Sequence, residues 1–264
     1  LEDKLAKYEK LKVQLGGNYP YEVLGHNALR KEEPNIGPKV IGAILHHQDG
    51  HANPLKLLTA LAADVRRMGG QVLVGKTVTD VSNPDGFLIT CADGTIVSAA
   101  KVVLSAGLGA AQLGPKMGFK APVRPQRGQV LITEKLPKLI NRPSLIARQV
   151  DEGGIQIGAT NEEVGLDDKV TQAGLSGLAA EAIAAYPALA RAQLVRSWGA
   201  LRVLSPDGLP IYQESAHMPG AYLVTCHSGI TLAAAHARLL PDWLEGTVAA
   251  PDLEVFSENR FAVS

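Results

Sequence analysis

The chain has little of what marks several common classes of protein. Its 264 residues include only two cysteines, Cys91 and Cys226, which is too few for a disulfide framework or a four-cysteine metal site and agrees with a reducing compartment. Lysine plus arginine and aspartate plus glutamate both number 26, so no basic field indicates a nucleic acid or membrane partner. No apolar run approaches the roughly 20 residues that cross a bilayer. These absences favour a globular protein with a small, nearly neutral ligand.

Common catalytic and metal-binding motifs are absent as well. The sequence has no G-x-S-x-G elbow, no Walker loop and no H-E-x-x-H pair. Gly107 and Gly109 resemble the start of a dinucleotide fingerprint, but Gln112 stands at the third glycine position. Three histidines within residues 46–51 suggest a metal, yet adjacent residues of a strand point to opposite faces, and no cysteine or carboxylate pair completes a site. We therefore expect no metal centre.

Hydrophobic residues make up 46% of the chain, enough for a substantial core arranged as two lobes or one large α/β unit. Their spacing alternates between the periods of helices and strands. Helices are predicted over residues 1–15, 54–68 and 171–186. Strands are predicted at residues 40–46, 71–74, 77–81, 101–105 and 129–133, with a hairpin over 87–97. The proline-spaced composition after residue 115 indicates a second, inserted lobe.

The stretch from Arg196 to Leu240 contains the pattern that most favours a ligand site. One strand-like run ends in the P-D-G turn at residues 206–208. A second run, residues 221–225, breaks at the H-S-G sequence of residues 227–229 before an alanine-rich helix begins. The first backbone N–H groups of that helix lack partners and point beyond the end of the strand. We expect an electron-rich edge of a ligand to bind there.

Seven sequence blocks occur in a fixed order along the chain. They are D-G-H-A-N-P at 49–54, G-K-T-V-T-D-V at 75–81, V-V-L-S-A-G at 102–107, V-R-P-Q-R-G-Q-V-L-I-T at 123–133, I-Q-I-G-A-T at 155–160, G-A-L-R-V-L-S-P-D-G-L-P-I at 199–211 and H-S-G-I-T-L-A at 227–233. In this order they resemble the FAD-dependent D-amino acid oxidase and glycine oxidase superfamily over nearly the whole chain. The C-H-S-G-I-T-L-A form is most similar to the branch that includes opine oxidase, hydroxyproline dehydrogenase and hydrogen cyanide synthase flavoprotein subunits.

The resemblance implies an α/β (α+β) fold, with a partial FAD-binding Rossmann-like domain and an inserted mixed-sheet substrate domain. It assigns residues 1–20, 48–114 and 199–264 to the FAD-binding domain, and residues 21–47 and 115–198 to the substrate-binding domain. Family members begin with a strand, a G-x-G-x-x-G turn and a helix that hold the FAD pyrophosphate, and no block of this chain corresponds to that unit. The chain also begins without methionine. Two explanations are open: the given sequence lacks its first part, or the protein has lost this unit. In the second case the protein would lack tight flavin binding.

The resemblance also assigns roles to individual residues. Arg202 matches the arginine that holds the substrate carboxylate in glycine oxidase-like members, and a guanidinium suits this task because it pairs bidentately with a carboxylate. His227 falls where some members have a second substrate-binding residue. Val78 matches a backbone contact to the adenine, and Ala106 and Gly107 match small residues that let the chain pass close to the cofactor. The segment around the pyrimidine end of the flavin consists of Thr225, Cys226, His227, Ser228, Gly229, Ile230 and Thr231.

Several of these assignments have an ordinary structural alternative. Arg202 also fits a salt bridge, His227 a hydrogen-bonded core histidine and Val78 a core valine. Two positions depart from the family pattern. Ala200 stands near the position where members with covalent flavin carry a cysteine, so non-covalent FAD is expected. Ile146 stands near the position of a tyrosine in glycine oxidase-like members, which indicates a different substrate side chain.

The activity implied by the resemblance is oxidation of the amine of a small amino acid, imino acid or opine to an imine, by hydride transfer to FAD. The alternative is a flavin-free remnant or a structural subunit of a heteromeric dehydrogenase. No catalytic residue is assigned, because a substrate amine that arrives neutral needs no protein base and the protein contributes orientation and electrostatics. The expected partners are a small amino-acid-like substrate and a homo- or hetero-oligomer, with no nucleic acid and no transmembrane segment. The expected location is the cytoplasm, either free or peripheral to the inner membrane.

Overall fold

The computed structural model describes residues 2–262, so Leu1 of the first predicted helix lies outside the described residues. The α-helices are α1 (Glu2–Gln14), α2 (His26–Glu32), α3 (Pro54–Arg67), α4 (Ala110–Leu113), α5 (Gln172–Ala185) and α6 (Gly229–Glu245). The strands are β1 (Tyr21–Gly25), β2 (Gly42–His46), β3 (Val78–Ser82), β4 (Phe87–Cys91), β5 (Ile96–Ala99), β6 (Val102–Leu104), β7 (Arg124–Lys135), β8 (Ala147–Gln149), β9 (Gly154–Gly158), β10 (Leu194–Leu204), β11 (Ile211–Glu214) and β12 (Ala221–Thr225). They form four sheets, ordered β1-β2, β10-β7-β9-β8, β11-β12-β6 and β3-β4-β5.

Local sequence signals account for the bounds of several elements. Helix α5 begins where the side chain of Thr171 accepts a hydrogen bond of 3.2 Å from the backbone N–H of Gly174, as an N-cap does. Helix α3 begins at Pro54, whose fixed φ suits the first helical position. The β4–β5 hairpin turns at Gly94, which adopts a φ of +83°. The predicted helices and the predicted hairpin are confirmed.

The first of two compact units comprises residues 1–53, 127–162 and 168–200. Its core forms where α5 packs against the sheet of β7, β8 and β9. Leu131 and Ile157 contribute from the strands and Leu178 and Ala182 from the helix, and each is at most 6% exposed. In the same unit the buried carboxylate of Glu33 accepts backbone hydrogen bonds at the loop of residues 141–142. Because these contacts are local to the unit, they give it a core of its own.

Helix α1 belongs to this first unit. Tyr8 packs edge-on against Tyr19 and Tyr21, with ring centroids 5.4 Å apart in each pair. Residues 1–20, which the family resemblance groups with the FAD-binding domain, therefore lie with β1 and β2 rather than with α3. Conversely, residues 115–126 and 163–167 lie in the second unit and not with the rest of the inserted lobe. The functional assignment of the two units stays a prediction.

The second unit comprises residues 54–126, 163–167 and 201–264. Its core includes Phe87, Met117, Ile211 and Leu223, which are 1% exposed or less. Strand β12 is buried along its whole length and lies between β11 and β6. Because β12 and β6 are parallel, the segments that follow these two strands lie at the same edge of the sheet.

One part of the second unit leaves apolar residues exposed. Helix α3 has no buried residue, although its leucines recur at helical spacing, and Leu55 and Met68 are about three-quarters exposed. The strand predicted at residues 71–74 is irregular and exposed. A strand needs a neighbouring strand for its backbone hydrogen bonds, and none of the described residues pairs with this segment. Within residues 2–262, none of the helices is long and apolar enough to cross a membrane.

Candidate functional site

The candidate site lies at the edge of the sheet where β6 and β12 end. These two strands are parallel neighbours, with Leu104 opposite Leu223, so the segments that come after them emerge at the same edge. Ala106 and Gly107 follow β6, and residues 226–229 follow β12. Ligands of open α/β sheets bind outside the carboxyl ends of such strands. The structure thus brings together two of the three groups of residues expected to contact the cofactor.

Helix α6 begins at this edge. Its N-cap is Ser228, whose side chain makes no capping hydrogen bond, and the first helical hydrogen bond runs from the N–H of Leu232 to the carbonyl of Ser228 at 2.9 Å. The N–H groups of residues 229–231 therefore have no acceptor within the helix. Together with the helix dipole they create a region of positive potential that favours a negatively charged or electron-rich ligand.

Two further observations at this edge fit a bound ligand. The side-chain oxygen of Thr225, at the end of β12, is buried and has no hydrogen-bond partner among the described residues. Gly107 adopts a φ of +56°, and a Cβ added there would meet nothing within 4 Å. The backbone at Gly107 thus borders open space, which a cofactor can occupy at close range.

A cavity of about 480 Å³ opens beside the first turns of α6. Its walls are mainly apolar and include Leu232, Leu239 and Phe256. Tyr212 and His236 also line it, and the Tyr212 hydroxyl lies 2.8 Å from Nε2 of His236. Burial raises the pKa of Tyr212 and lowers the pKa of His236, so both side chains are neutral near pH 7. This Tyr–His pair carries no signal in local sequence spacing.

The lining of the cavity includes four residues of the segment expected around the flavin: Cys226, His227, Ser228 and Thr231. The His227 ring is exposed, and its Nδ1 lies 3.2 Å from the Ser228 hydroxyl. His227 is therefore accessible to a ligand rather than a buried core histidine. Burial raises the pKa of the Cys226 thiol, although a backbone hydrogen bond from Ser228 acts in the opposite direction. Cys226 thus remains a neutral thiol and not a reactive thiolate.

Arg202 lies near the end of β10, between Leu201 and Val203. The side chain is partly buried, and this desolvation lowers the pKa of its guanidinium. A desolvated guanidinium binds a carboxylate more strongly than an exposed one does, since the local dielectric constant is lower. Arg202 is not among the residues that line the cavity, but Gly208, six positions further along the chain, is. The convergence of Arg202 and Gly229 on one pocket stays a prediction.

Val78 lies apart from the sheet edge. It begins β3 and pairs with Cys91 of β4, in a different sheet from β6 and β12. Its side chain is partly buried and packs against the core of the second unit. This packing agrees with the alternative of a core valine, while the expected contact to adenine involves only its backbone and stays a prediction. Among the described residues, no group of three or more histidines, cysteines or carboxylates is arranged to hold a metal ion.

The fold and this edge define an α/β protein with a candidate ligand site at the carboxyl ends of parallel strands. A family model described as FAD dependent oxidoreductase, DAO, matches residues 1–243. The chain belongs to this family of FAD-dependent oxidoreductases, and its cofactor is FAD. The resemblance that the seven sequence blocks carry is confirmed.

Several curated proteins are similar to nearly the whole chain. The opine oxidase B subunit of Agrobacterium tumefaciens (strain Ach5) is 36% identical over 262 residues, which cover 99% of this chain and 71% of that protein. The opine oxidase B subunit of Rhizobium meliloti is 37% identical over 264 residues, with the same shares. Hydrogen cyanide synthase subunit HcnC of Pseudomonas protegens is 34% identical over 253 residues, covering 91% of this chain and 60% of that protein.

Solved structures show the same fold. Glycine oxidase from Geobacillus kaustophilus superposes with a TM-score of 0.89 at 24% identity, over 99% of this chain and 72% of that one. L-Proline dehydrogenase from P. horikoshii superposes with a TM-score of 0.87 at 20% identity, over 99% and 74%. These superpositions confirm the expected α/β fold class.

The residues at the sheet edge fit FAD as a ligand. The unpartnered Thr225 hydroxyl can exchange a hydrogen bond with it, and the N–H groups of residues 229–231 can donate to its electron-rich atoms. Gly107 leaves room for close approach of the cofactor to the backbone. When bound, FAD accepts two electrons from a substrate. What the chain itself provides at this edge is hydrogen-bond donors and positive potential.

Proposed function

We propose that the protein oxidises the amine of a small amino acid, imino acid or opine to an imine, with Arg202 binding the substrate carboxylate. The proposal rests mainly on the partly buried guanidinium of Arg202 on an apolar stretch of β10. The similarity to two opine oxidase subunits supports this class of substrate. His227, exposed beside the cavity, is proposed as a second contact to the substrate.

In this proposal the chain positions the substrate and acts on no proton itself. Arg202 fixes the carboxylate in two hydrogen bonds, which also fixes the direction of the adjacent Cα–H bond. At the sheet edge, the N–H groups at the start of α6 would stabilise negative charge on the bound cofactor. The imine product is released and hydrolysed by water. FAD is held non-covalently by Val78, Ala106, Gly107 and residues 225–231.

The test compares two arginines of the same strand in the flavin-loaded protein. Arg202→Ala should raise KM for an amino-acid substrate roughly 10- to 100-fold, because a hydrogen bond to a charged group contributes about 1.5–3 kcal/mol. The visible spectrum of the bound flavin should not change. Arg196→Ala is the control, since Arg196 is exposed and stacks 5.3 Å from the Trp198 ring. An unchanged KM in Arg202→Ala would remove the assigned role.

A second comparison tests the carboxylate itself. An amine that lacks the carboxylate should be a poor substrate of the unchanged protein and should be affected little by Arg202→Ala. If Arg202→Ala raises KM by the same factor for both substrates, Arg202 supports the fold and does not bind the carboxylate. A colourless protein with an intact native N-terminus would instead favour the flavin-free alternative.

We propose in addition that the protein forms a hetero-oligomer in the cytoplasm, free or peripheral to the inner membrane. Support for assembly comes from the relatives, because both opine oxidase proteins and HcnC are named as subunits. Support for a reducing compartment comes from Cys91 and Cys226, which are both free thiols. Light scattering of the native protein from its host, with cell fractionation, tests both points. A monomer, or a protein recovered outside the cytoplasm, would contradict them.

A further inference from the structure

A C-terminal segment of the second unit, residues 253–261, lies beyond the end of the family match at residue 243. It contains two short 3-10 helices, Glu254–Phe256 and Glu258–Phe261. Two of its residues, Leu253 and Phe256, line the cavity beside α6. The segment thus forms part of the wall of the candidate site.

Arg260 connects this segment to the turn between β10 and β11. Its Nε donates to Oδ2 of Asp207 at 2.9 Å, and its Nη2 donates to Oδ1 of Asp207 at 3.0 Å and to the carbonyl of Pro210 at 2.9 Å. On its other side, Nη1 donates to the carbonyls of Phe256 and Ser257, at 2.5 and 3.1 Å. One guanidinium therefore joins the C-terminal segment to the turn. Such a fork is rigid and always charged.

Asp207 in turn organises the turn of residues 205–210. Its Oδ1 accepts hydrogen bonds from the Ser205 hydroxyl at 3.1 Å and from the Leu209 N–H at 3.0 Å. The N–H of Gly208, a residue with a φ of +77°, donates to the carbonyl of Ser205 at 3.2 Å. The Arg260 side chain holds the pKa of this carboxyl down at about 2. Asp207 is therefore ionised near neutral pH, and its pair with Arg260 is fully charged.

The turn held in this way is part of the candidate site. Gly208, Leu209 and Pro210 line the cavity that Cys226 and Thr231 also line. The same turn directly continues β10, on which Arg202 lies five residues before Asp207. A shift of the turn would therefore displace the cavity wall and the end of the strand that carries Arg202. A displacement of about 1 Å at a site can cost up to about 100-fold in rate.

We propose that residues 253–261 brace the candidate site and that Arg260 is a positioning residue, which acts through Asp207 on the turn of residues 205–210. Arg260 does not touch the substrate in this proposal. Its effect on substrate binding rests on the function proposed for Arg202, whereas its effect on the turn does not. The two effects can therefore be measured separately.

The same segment provides a matched control. Glu258, 5% exposed, accepts backbone hydrogen bonds from Lys120 at 3.0 Å and from Ala121 at 2.8 Å. It anchors the segment as Arg260 does, but to a different loop, which does not line the cavity. If the segment only stabilises the fold, Arg260→Gln and Glu258→Gln should affect the site alike. If Arg260 positions the turn, the two variants should differ.

The first measurement is hydrogen exchange of the turn in the flavin-loaded protein without substrate. In Arg260→Gln the amides of Gly208 and Leu209 should exchange at least about tenfold faster, because the turn opens locally more often. Glu258→Gln should leave these two amides unchanged, even where it lowers Tm by a similar amount. Unchanged exchange in Arg260→Gln, or equal acceleration in both variants, would overturn the proposal.

The second measurement is kinetic. Arg260→Gln should raise KM for the amino-acid substrate about tenfold or more with a smaller change in kcat, and Asp207→Asn should do the same. The double variant should be no worse than either single variant, because both remove the same connection. Additive losses would mean that Arg260 does not act through Asp207, which overturns the positioning role. If no amine is oxidised by the unchanged protein, the function proposed for Arg202 fails. The hydrogen-exchange data alone then test whether Arg260 holds the turn of residues 205–210.

Discussion

The hydroxyl of Thr225 gives a direct physical test of the candidate cofactor site. Thr225 ends β12, is 5% exposed, and its side-chain oxygen has no hydrogen-bond partner among the described residues. An unsatisfied buried polar group costs about 1–3 kcal/mol. Thr225→Val replaces the hydroxyl by a methyl group of similar size. We therefore expect this variant to raise the free energy of unfolding of the flavin-free protein by about 1 kcal/mol.

The flavin-bound state should respond in the opposite direction. A hydrogen bond between the Thr225 hydroxyl and FAD would contribute about 0.5–1.5 kcal/mol net. Its loss in Thr225→Val should raise the Kd for FAD roughly two- to tenfold, since about 1.4 kcal/mol corresponds to a factor of ten. A gain in stability without the cofactor and a loss of affinity for it together identify the hydroxyl as a ligand. Neither effect alone would do so.

The two quantities are measured by urea unfolding of the flavin-free protein and by titration with FAD. Thr133→Val is the matched control, because Thr133 is 2% exposed but its hydroxyl is satisfied. It donates to the carbonyl of Glu134 at 2.8 Å and accepts from the N–H of Ile155 at 3.0 Å. This control should lose about 1–3 kcal/mol of stability and keep its affinity for FAD. If Thr225→Val loses stability as Thr133→Val does, or binds FAD unchanged, the cofactor does not contact this hydroxyl.

Three further predictions concern conformation, pH and packing. Gly107→Ala should lower the free energy of unfolding by about 1–2 kcal/mol through its left-handed φ alone, because the added Cβ meets nothing within 4 Å; a larger loss in urea titrations would indicate a clash. Burial lowers the pKa of His236, so the unfolded chain takes up a proton first and stability should fall as pH drops below about 6.5. His236→Gln should flatten this part of the stability–pH curve, and an unaltered slope would contradict the assignment. Leu178→Ala, in the core of the first unit, should cost about 2–5 kcal/mol, and a change in Tm of less than about 2 °C would contradict the packing.

Elements whose signals are local could be predicted from the sequence. The break at residues 227–229 and the alanine-rich run behind it predict a helix that begins near Gly229, and α6 begins there. Thr171 and the Tyr186-Pro187 pair similarly bound α5. In each case the signal and the structure lie within a few residues of one another, because capping groups and proline restrict the backbone of their immediate neighbours.

Features that depend on a distant partner could not be predicted. Residues 71–74 have the composition of a strand, but a strand forms only where another strand accepts its hydrogen bonds, and composition does not report that partner. The contact that places α1 beside β1, between Tyr8 and the two tyrosines Tyr19 and Tyr21, could not be foreseen for a related reason, and the assignment of residues 1–20 to a cofactor-binding domain stays a prediction. Amphipathic spacing predicts that a helix has an apolar face, but it does not predict which surface covers that face.

The same distinction divides the residues of the candidate site. The sequence could place Gly107 and Gly229 just after the ends of strands, because strand ends are visible in the local pattern, while their contacts to the cofactor stay a prediction. Asp207 was visible only as part of a turn, since the residue that fixes its charge, Arg260, lies 53 positions further along the chain. Hydrophobic periodicity does not report contacts over that distance, and Arg260 lies beyond residue 243, where the match to the family model ends. Charged residues that act on a site through a partner must therefore be identified from structure, whereas the glycines and helix starts that shape the site can be identified from sequence.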